Sequence, residues 1–316
     1  MLYSLIYRVY FDLKRKKRKD ILNEKNFPIF SQKILDYCEW YYNIPLAKSY
    51  SRHPSKEFGI NIEQKRSKKI IVSLTSYPKR INTLWLSIET LLRQSLKPDK
   101  IILWLAKEQF NGVEVLPSKL QALQERGLTI RFCDDVKSHK KYLYAMQEYP
   151  NDIIILVDDD SFYPLDTIEK LYEMYKNNPT EISCMTPTLI SDFNELPSKW
   201  ERPHECSEVT HSYLAQPYTG QGTLFPPHCL DEKYAFDKDL IMQLCPFADD
   251  LWLKYMSLRK KTRVSTFCEL RDLPVTIYGT QDSSLWYING QDGKNDMQWQ
   301  NLLDYLHDDF SQLGHN

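Results

Sequence analysis

From residue 69 the chain alternates short apolar runs with segments whose apolar residues recur every three or four positions. Residues 70–74 form a nearly continuous apolar run, the pattern of a strand buried on both faces. After Thr75-Ser76-Tyr77-Pro78-Lys79-Arg80, apolar residues at Ile81, Leu84, Trp85, Ile88, Leu91, Leu92 and Leu96 share one helical face, and Pro98 ends that helix. Residues 100–105 predict a second strand. Residues 116–126 predict a helix closed by Gly127, and 128–132 a third strand ending at Asp134-Asp135. A helix over 140–148 leads to a fourth strand, 153–157, and a helix over 165–176 follows. This alternation predicts a mostly parallel central sheet with helices on both faces and right-handed crossovers.

The alternation weakens after residue 178. Residues 182–190 predict a strand and 192–210 a polar, proline-punctuated loop. Residues 218–227 predict a glycine-flanked strand or turn, 238–245 and 249–258 helices, 267–277 a strand pair, and 302–306 a short helix. Residues 1–25 begin apolar and aromatic and run into Lys14-Arg15-Lys16-Lys17-Arg18-Lys19. That order fits either a helix lying on an anionic membrane, with roughly 1 kcal/mol for each basic residue near the surface, or a basic helix packed on the body of the protein. The expected organisation is an N-terminal helical, membrane-associating extension over 1–67 and one domain over 68–316, divided into halves 68–178 and 179–316.

The fourth strand runs directly into Asp158-Asp159-Asp160. Three adjacent carboxylates repel one another and cannot share the burial of the preceding residues, so the strand must end there. In open α/β sheets that carboxyl edge is where ligands bind, and a hard divalent cation is the simplest neutraliser of such a cluster. If the strand persists, Asp158 and Asp160 share one side and Asp159 takes the other. The formal net charge of −1 over 316 residues gives no sign of a nucleic-acid partner. Seven scattered cysteines without a CxxC pair point to a reducing, cytoplasmic compartment rather than a disulfide framework or zinc site. No apolar run approaches the length of a bilayer span.

Four features in order resemble a bacterial GT-A type glycosyltransferase of surface polysaccharide synthesis, of the capsular or O-antigen kind. They are the run from Ile71 to Arg80, the Asp-x-Asp of Asp158 and Asp160, Gly220-Gln221-Gly222 before an apolar run, and Ala248-Asp249-Asp250-Leu251-Trp252 opening a helix. The resemblance spans roughly residues 69–299. It implies a Rossmann-like GT-A sheet, a nucleotide-sugar donor (most often a UDP-sugar), a Mn2+ or Mg2+ ion and a polysaccharide or lipid-linked glycan acceptor. If residues 1–25 lie on a membrane, the expected place of work is its cytoplasmic leaflet. By the same resemblance, Thr75, Tyr77, Arg80 and Asp134 face the nucleotide, and Lys141, ahead of Lys140, faces the donor phosphates. Asp158 and Asp159 meet the donor, Asp158 and Asp160 hold the metal, and Gly220 and Gly222 allow close approach to the ligand. Asp250, with Asp249 second, is the general base of an inverting transfer. His211, Asn295 and Asp296 are candidates for a further metal ligand.

Two other classes also fit parts of the sequence. A haloacid-dehalogenase-like phosphohydrolase likewise places Asp-x-Asp after a buried strand, but that strand usually opens its fold, whereas three strands precede it here. A non-catalytic carbohydrate-binding protein would use the acids for a structural ion.

Overall fold

The computed structural model describes residues 28–200, 206–268, 273–280 and 293–313, with Ile6, Val9, Tyr10, Asp12, Leu13, Lys16, Lys17 and Asn26 ahead of them. The membrane-associating segment expected over 1–25 therefore lies largely outside the described residues. Of its apolar positions, Ile6 and Tyr10 are buried, and the Tyr10 hydroxyl donates to Glu39 at 3.1 Å.

Four parallel strands carry the first half: β1 (Ile70–Thr75), β2 (Lys100–Ala106), β3 (Leu128–Cys133) and β4 (Ile153–Leu156). They lie in the order β3-β2-β1-β4. Alternate residues enter opposite cores. Ile70, Val72, Leu74, Ile153 and Ile155 face one, while Ile71, Ile102, Trp104, Ile154 and Leu156 face the other. Both faces are apolar because both are covered. Helix α1 (Ile29–Tyr41), α2 (Leu84–Leu92) and α4 (Thr167–Asn177) contribute to the first core, and α3 (Lys140–Glu148) and α6 (Asp249–Arg259) to the second.

Beyond β4 the sheet becomes mixed. The short strands β5 (Ser161–Phe162), β6 (Ile182–Cys184), β7 (Pro187–Leu189), β8 (Cys206–Ser212), β9 (Ala215–Pro217), β10 (Thr223–Phe225), β11 (Val264–Cys268) and β12 (Val275–Thr276) follow. β10 inserts antiparallel between β4 and β6, β11 joins β6 in parallel, and β8 forms the antiparallel edge. β5 pairs with β12, and β7 with β9, outside the main sheet. The remaining helices used below are α5 (Lys238–Leu244) and α7 (Lys294–Leu306).

Several expected bounds shift. The strand expected over 182–190 is two strands with a break between them, and the helix expected over 302–306 begins at Lys294. Helix α2 starts at Leu84 rather than Ile81, because 81–83 continue the turn that Arg80 opens; the Arg80 carbonyl accepts from Thr83 N–H and Leu84 N–H at 3.0 and 3.1 Å. The helix before β3 tightens to a 3-10 turn and ends at Gly127, whose φ of +110° is the left-handed conformation expected of a C-cap glycine.

Candidate active site

β4 ends at Leu156, so the acidic triplet is not a continuation of the strand. The expected sharing of one side by Asp158 and Asp160 therefore gives way to another arrangement. Asp159 is buried and accepts from Arg80 Nη1 at 2.6 Å and Ser76 Oγ at 2.5 Å. Asp160 shares the same guanidinium at 3.1 Å, and Arg80 Nη2 donates to the Thr280 carbonyl at 2.9 Å. Asp158 turns instead to Lys141, with Nζ 2.7 Å from Oδ1. The turn is fixed from below by Tyr163, whose buried hydroxyl accepts from Asp158 N–H at 2.7 Å and donates to the Gly220 carbonyl at 2.6 Å. Gly220 is forced by this closeness: a Cβ there would lie 1.9 Å from Asp158 Oδ2.

Lys141 joins the triplet to a second pair of acids. It is buried on α3, and its Nζ also lies 2.9 Å from Asp249 Oδ2. Asp249 and Asp250 open α6, where the helix dipole favours negative charge. Thr219, on the loop before Gly220, clamps both: its N–H donates to Asp250 Oδ1 at 3.1 Å, and its hydroxyl contacts Asp250 and Asp249.

The two carboxyls of this pair titrate apart. Burial pushes Asp249 up, but the Lys141 ammonium outweighs it and holds the carboxyl below the usual carboxylate range. Burial, followed by the Asp249 charge, pushes Asp250 up to about 7. His139 is fully buried, and burial draws it down to about 4, so it is neutral.

The two acidic clusters, Arg80 and Lys141 line one cavity of about 610 Å³, within the roughly 300–1,000 Å³ of small-molecule sites. Of the residues singled out in the sequence, Thr75, Tyr77, Arg80, Lys141, Asp158, Asp159, Asp160, Gly220, Asp249, Asp250 and Asn295 line it. Asp134, Gly222, His211 and Asp296 do not. Asp134 is exposed and pairs with Lys238 at 3.1 Å and Lys107 at 3.5 Å, while the neighbouring Asp135 lines the cavity and pairs with Lys140. Gly222 has φ +102° and its α-carbon faces Thr167 and Leu171. His211 pairs with Glu181 on the sheet edge, and Asp296 accepts from Ser198 N–H.

Sequence reasoning missed Ser76, Asp135, Tyr163 and Thr219. Ser76 and Thr219 sit inside stretches already noted, and Asp135 is the second half of a noted acidic pair. Tyr163 carried no signal, because its role depends on a loop 57 residues away. The cavity is also lined by Thr188, Trp200, Gln216, Tyr218 and Phe247, residues with amide, hydroxyl and aromatic side chains.

The Glycosyl transferase family 2 model matches residues 72–229, half of the chain. A comparison with curated protein sequences finds no match. Among solved structures, the chain is similar to the mannosyltransferase PcManGT from Pyrobaculum calidifontis in complex with GDP-Man and Mn2+. The two are 11% identical with a TM-score of 0.46, over 96% of this chain and 76% of that one. It is also similar to GalNAc-T7 with UDP, GalNAc and Mn2+ (12% identity, TM-score 0.43, 78% of this chain and 56% of that one) and to S. aureus TarS 1–349 (10%, 0.40, 63% and 58%). The matched segment holds the carboxyl edge of the parallel strands, the acidic triplet and the Gly220 loop, so the chain belongs to glycosyl transferase family 2 and is a glycosyltransferase.

Proposed function

We propose that this glycosyltransferase moves a sugar from a nucleotide-sugar, of the UDP-sugar class, to a hydroxyl of a glycan or lipid-linked glycan, with inversion and with Asp250 as general base. The observation that carries the reading is the pairing of unlike acids in one cavity. The triplet is ion-paired with Arg80 and Lys141, whereas Asp250 is half-buried, faces the cavity and has its pKa raised toward neutrality by burial and then by Asp249. A base is most useful with a pKa near the working pH. In this reading the acceptor O–H gives its proton to Asp250 as its oxygen bonds to the anomeric carbon. The bond from that carbon to the donor phosphate breaks, and the electron pair leaves with the diphosphate.

The donor set fits a Mg2+- or Mn2+-type ion. Such ions usually take one or two carboxylates and complete their shell with water and substrate phosphate. Asp158 and Asp160 are two hard oxygen donors on the cavity wall, and no group of three or more His, Cys, Asp or Glu side chains gathers among the described residues. An ion held there would neutralise charge on the departing diphosphate. Thr75 ends β1, Tyr77 and Arg80 follow it at the same edge, and the three are the proposed nucleotide wall.

Calorimetry of UDP binding with manganese tests the reading. The wild-type chain is expected to bind UDP more tightly with manganese than without, and Asp160→Ala is expected to lose that difference while remaining folded. Equal affinity in the variant would overturn the metal assignment. Failure of the wild-type chain to bind any nucleoside diphosphate would overturn the donor class.

A further inference from the structure

Helix α1 is apolar on two sides. Leu35 and Cys38, with Tyr42 and Leu46 in the helical turn that follows, are buried in the core together with Ile6 and Tyr10. On the other side Phe30, Tyr37, Trp40 and Ile44 recur at helical spacing and are 75%, 54%, 45% and 37% exposed, and Ile29 at the helix start is 78% exposed. The Tyr37 and Trp40 rings lie 5.5 Å apart. A helix apolar all round belongs in a buried position, and an exposed apolar stripe marks a surface that meets something.

The charges near the stripe indicate what covers it. Lys33 lies on the stripe itself and Lys48 and Arg52 are exposed on the helical continuation, against one exposed acid, Asp36, a turn ahead of Trp40. The six-residue basic run from Lys14 to Lys19 stands just ahead in the sequence. Tryptophan and tyrosine flanked by lysine and arginine suit the interfacial layer of a bilayer with anionic headgroups. Ile6 and Tyr10 are turned into the core, so the described apolar positions of the N-terminal segment do not make that contact.

The stripe is also tied to the cavity. A π-helical turn, Tyr42–Leu46, continues α1 and presents Asn43 to the segment that carries β12. Asn43 Nδ2 donates to the Thr276 carbonyl at 3.3 Å, and Tyr278 N–H donates to Asn43 Oδ1 at 2.7 Å. Thr276 lines the cavity, and Ile277 N–H donates to the Asp160 carbonyl at 2.8 Å. Tyr278, 49% exposed, stands two residues from that wall.

We propose that the outer face of α1, with Phe30, Tyr37, Trp40 and Ile44, docks on an anionic lipid surface and holds the cavity beside it. The lipid contact stands on the stripe alone. Its consequence, that the acceptor is delivered within the plane of a membrane, rests on the transfer reading above.

Vesicle co-sedimentation of the full chain tests this, using phosphatidylglycerol mixed with phosphatidylcholine against phosphatidylcholine alone, with size-exclusion chromatography alongside. The wild-type chain is expected to sediment with the anionic vesicles, more weakly as salt rises. The triple variant Phe30→Ser, Trp40→Ser, Ile44→Ser is expected to partition about tenfold less, with its basic run intact. Should that variant fold poorly, fluorescence quenching by brominated lipid serves instead: it is expected in the wild-type chain and reduced in Trp40→Phe. Wild-type partitioning in the triple variant, or equal quenching with and without Trp40, would overturn the proposal. So would a dimer that the stripe variant splits while vesicle binding is unchanged. UDP affinity measured on the same samples separates failure of the lipid contact from failure of the transfer reading.

Discussion

Two acidic clusters meet in the cavity, and they are neutralised differently. Asp158, Asp159 and Asp160 share Arg80 and Lys141; among the described residues, Asp249 pairs with the same Lys141 and Asp250 with no cation. The triplet is thus ion-paired with two cations, with burial raising the Asp159 carboxyl against the pull of Arg80, while in the pair Lys141 holds Asp249 low against burial and Asp250 is pushed toward a proton. Two adjacent carboxylates facing one cation separate into an acid that stays ionised and one that titrates near neutrality. On the proposed reading, the first cluster handles charge and the second the proton.

The largest effect should come from removing the titrating group. Asp250→Asn keeps the shape but cannot accept a proton, so transfer is expected to fall about 10³-fold, within the usual contribution of a general base, while UDP affinity stays unchanged. In the wild-type chain kcat/KM should rise with pH through about 7, because the base works only when ionised. Stability runs the other way. The folded pKa of Asp250 is raised, so its contribution is fully present below the ordinary carboxylate pKa and is lost as pH rises through about 7. Asp250→Asn should therefore gain in Tm over the wild-type chain between pH 5 and pH 8. A constant Tm difference across that range would break the contrast between the clusters.

Lys141 is the only group bound to both clusters among the described residues, so Lys141→Met tests whether they are coupled. Without the cation Asp249 loses its main stabiliser, and the pair must share more protons. The pH profile of kcat/KM is expected to shift upward by about one unit, which is roughly a fivefold loss at pH 7 that recovers at pH 9. A uniform loss at all pH values would make Lys141 a donor contact alone.

Gly220→Ala perturbs only the triplet's side. The new Cβ would press on Asp158 Oδ2, the movable end of a side chain, so the fold should survive and the carboxylate should shift. UDP affinity is expected to fall about tenfold, with the pH midpoint unmoved and Tm within a few degrees of wild type. A shifted midpoint would mean that displacing Asp158 also disturbs the Lys141 bridge.

These contrasts also mark how far the sequence could be read. The strands from β1 to β4 were legible because burial on both faces leaves near-continuous apolar runs, and α3 falls on residues 140–148 as its pattern predicts. β6 and β10 are three residues long, too short to show a period, so nothing indicated that β10 would insert antiparallel beside β4. Carboxylates were legible as candidates because adjacent acids after a buried strand conflict with its burial. Their partners were not: the contacts of Lys141 span 17 residues to Asp158 and a longer stretch to Asp249, and a local pattern carries no record of either.

The finest test concerns two neighbours that the sequence does not separate. β3 ends at Cys133, and Asp134 and Asp135 follow it. Asp134 is 62% exposed and held by Lys238 and Lys107, which lower its pKa from outside the cavity. Asp135 lines the cavity, accepts from Lys137 N–H at 2.9 Å and pairs with the buried Lys140. Exposed ion pairs contribute little, so Asp134→Ala should leave Tm unchanged and UDP affinity within about twofold of wild type. Asp135→Ala leaves Lys140 buried without its carboxylate and removes a support for the Lys137 backbone, whose φ of +54° is unusual for a residue with a side chain. Its UDP affinity should fall several-fold more than that of Asp134→Ala. The reverse order would mean that the nucleotide lies along the outer rim of β3 and not in the cavity between the two acidic clusters.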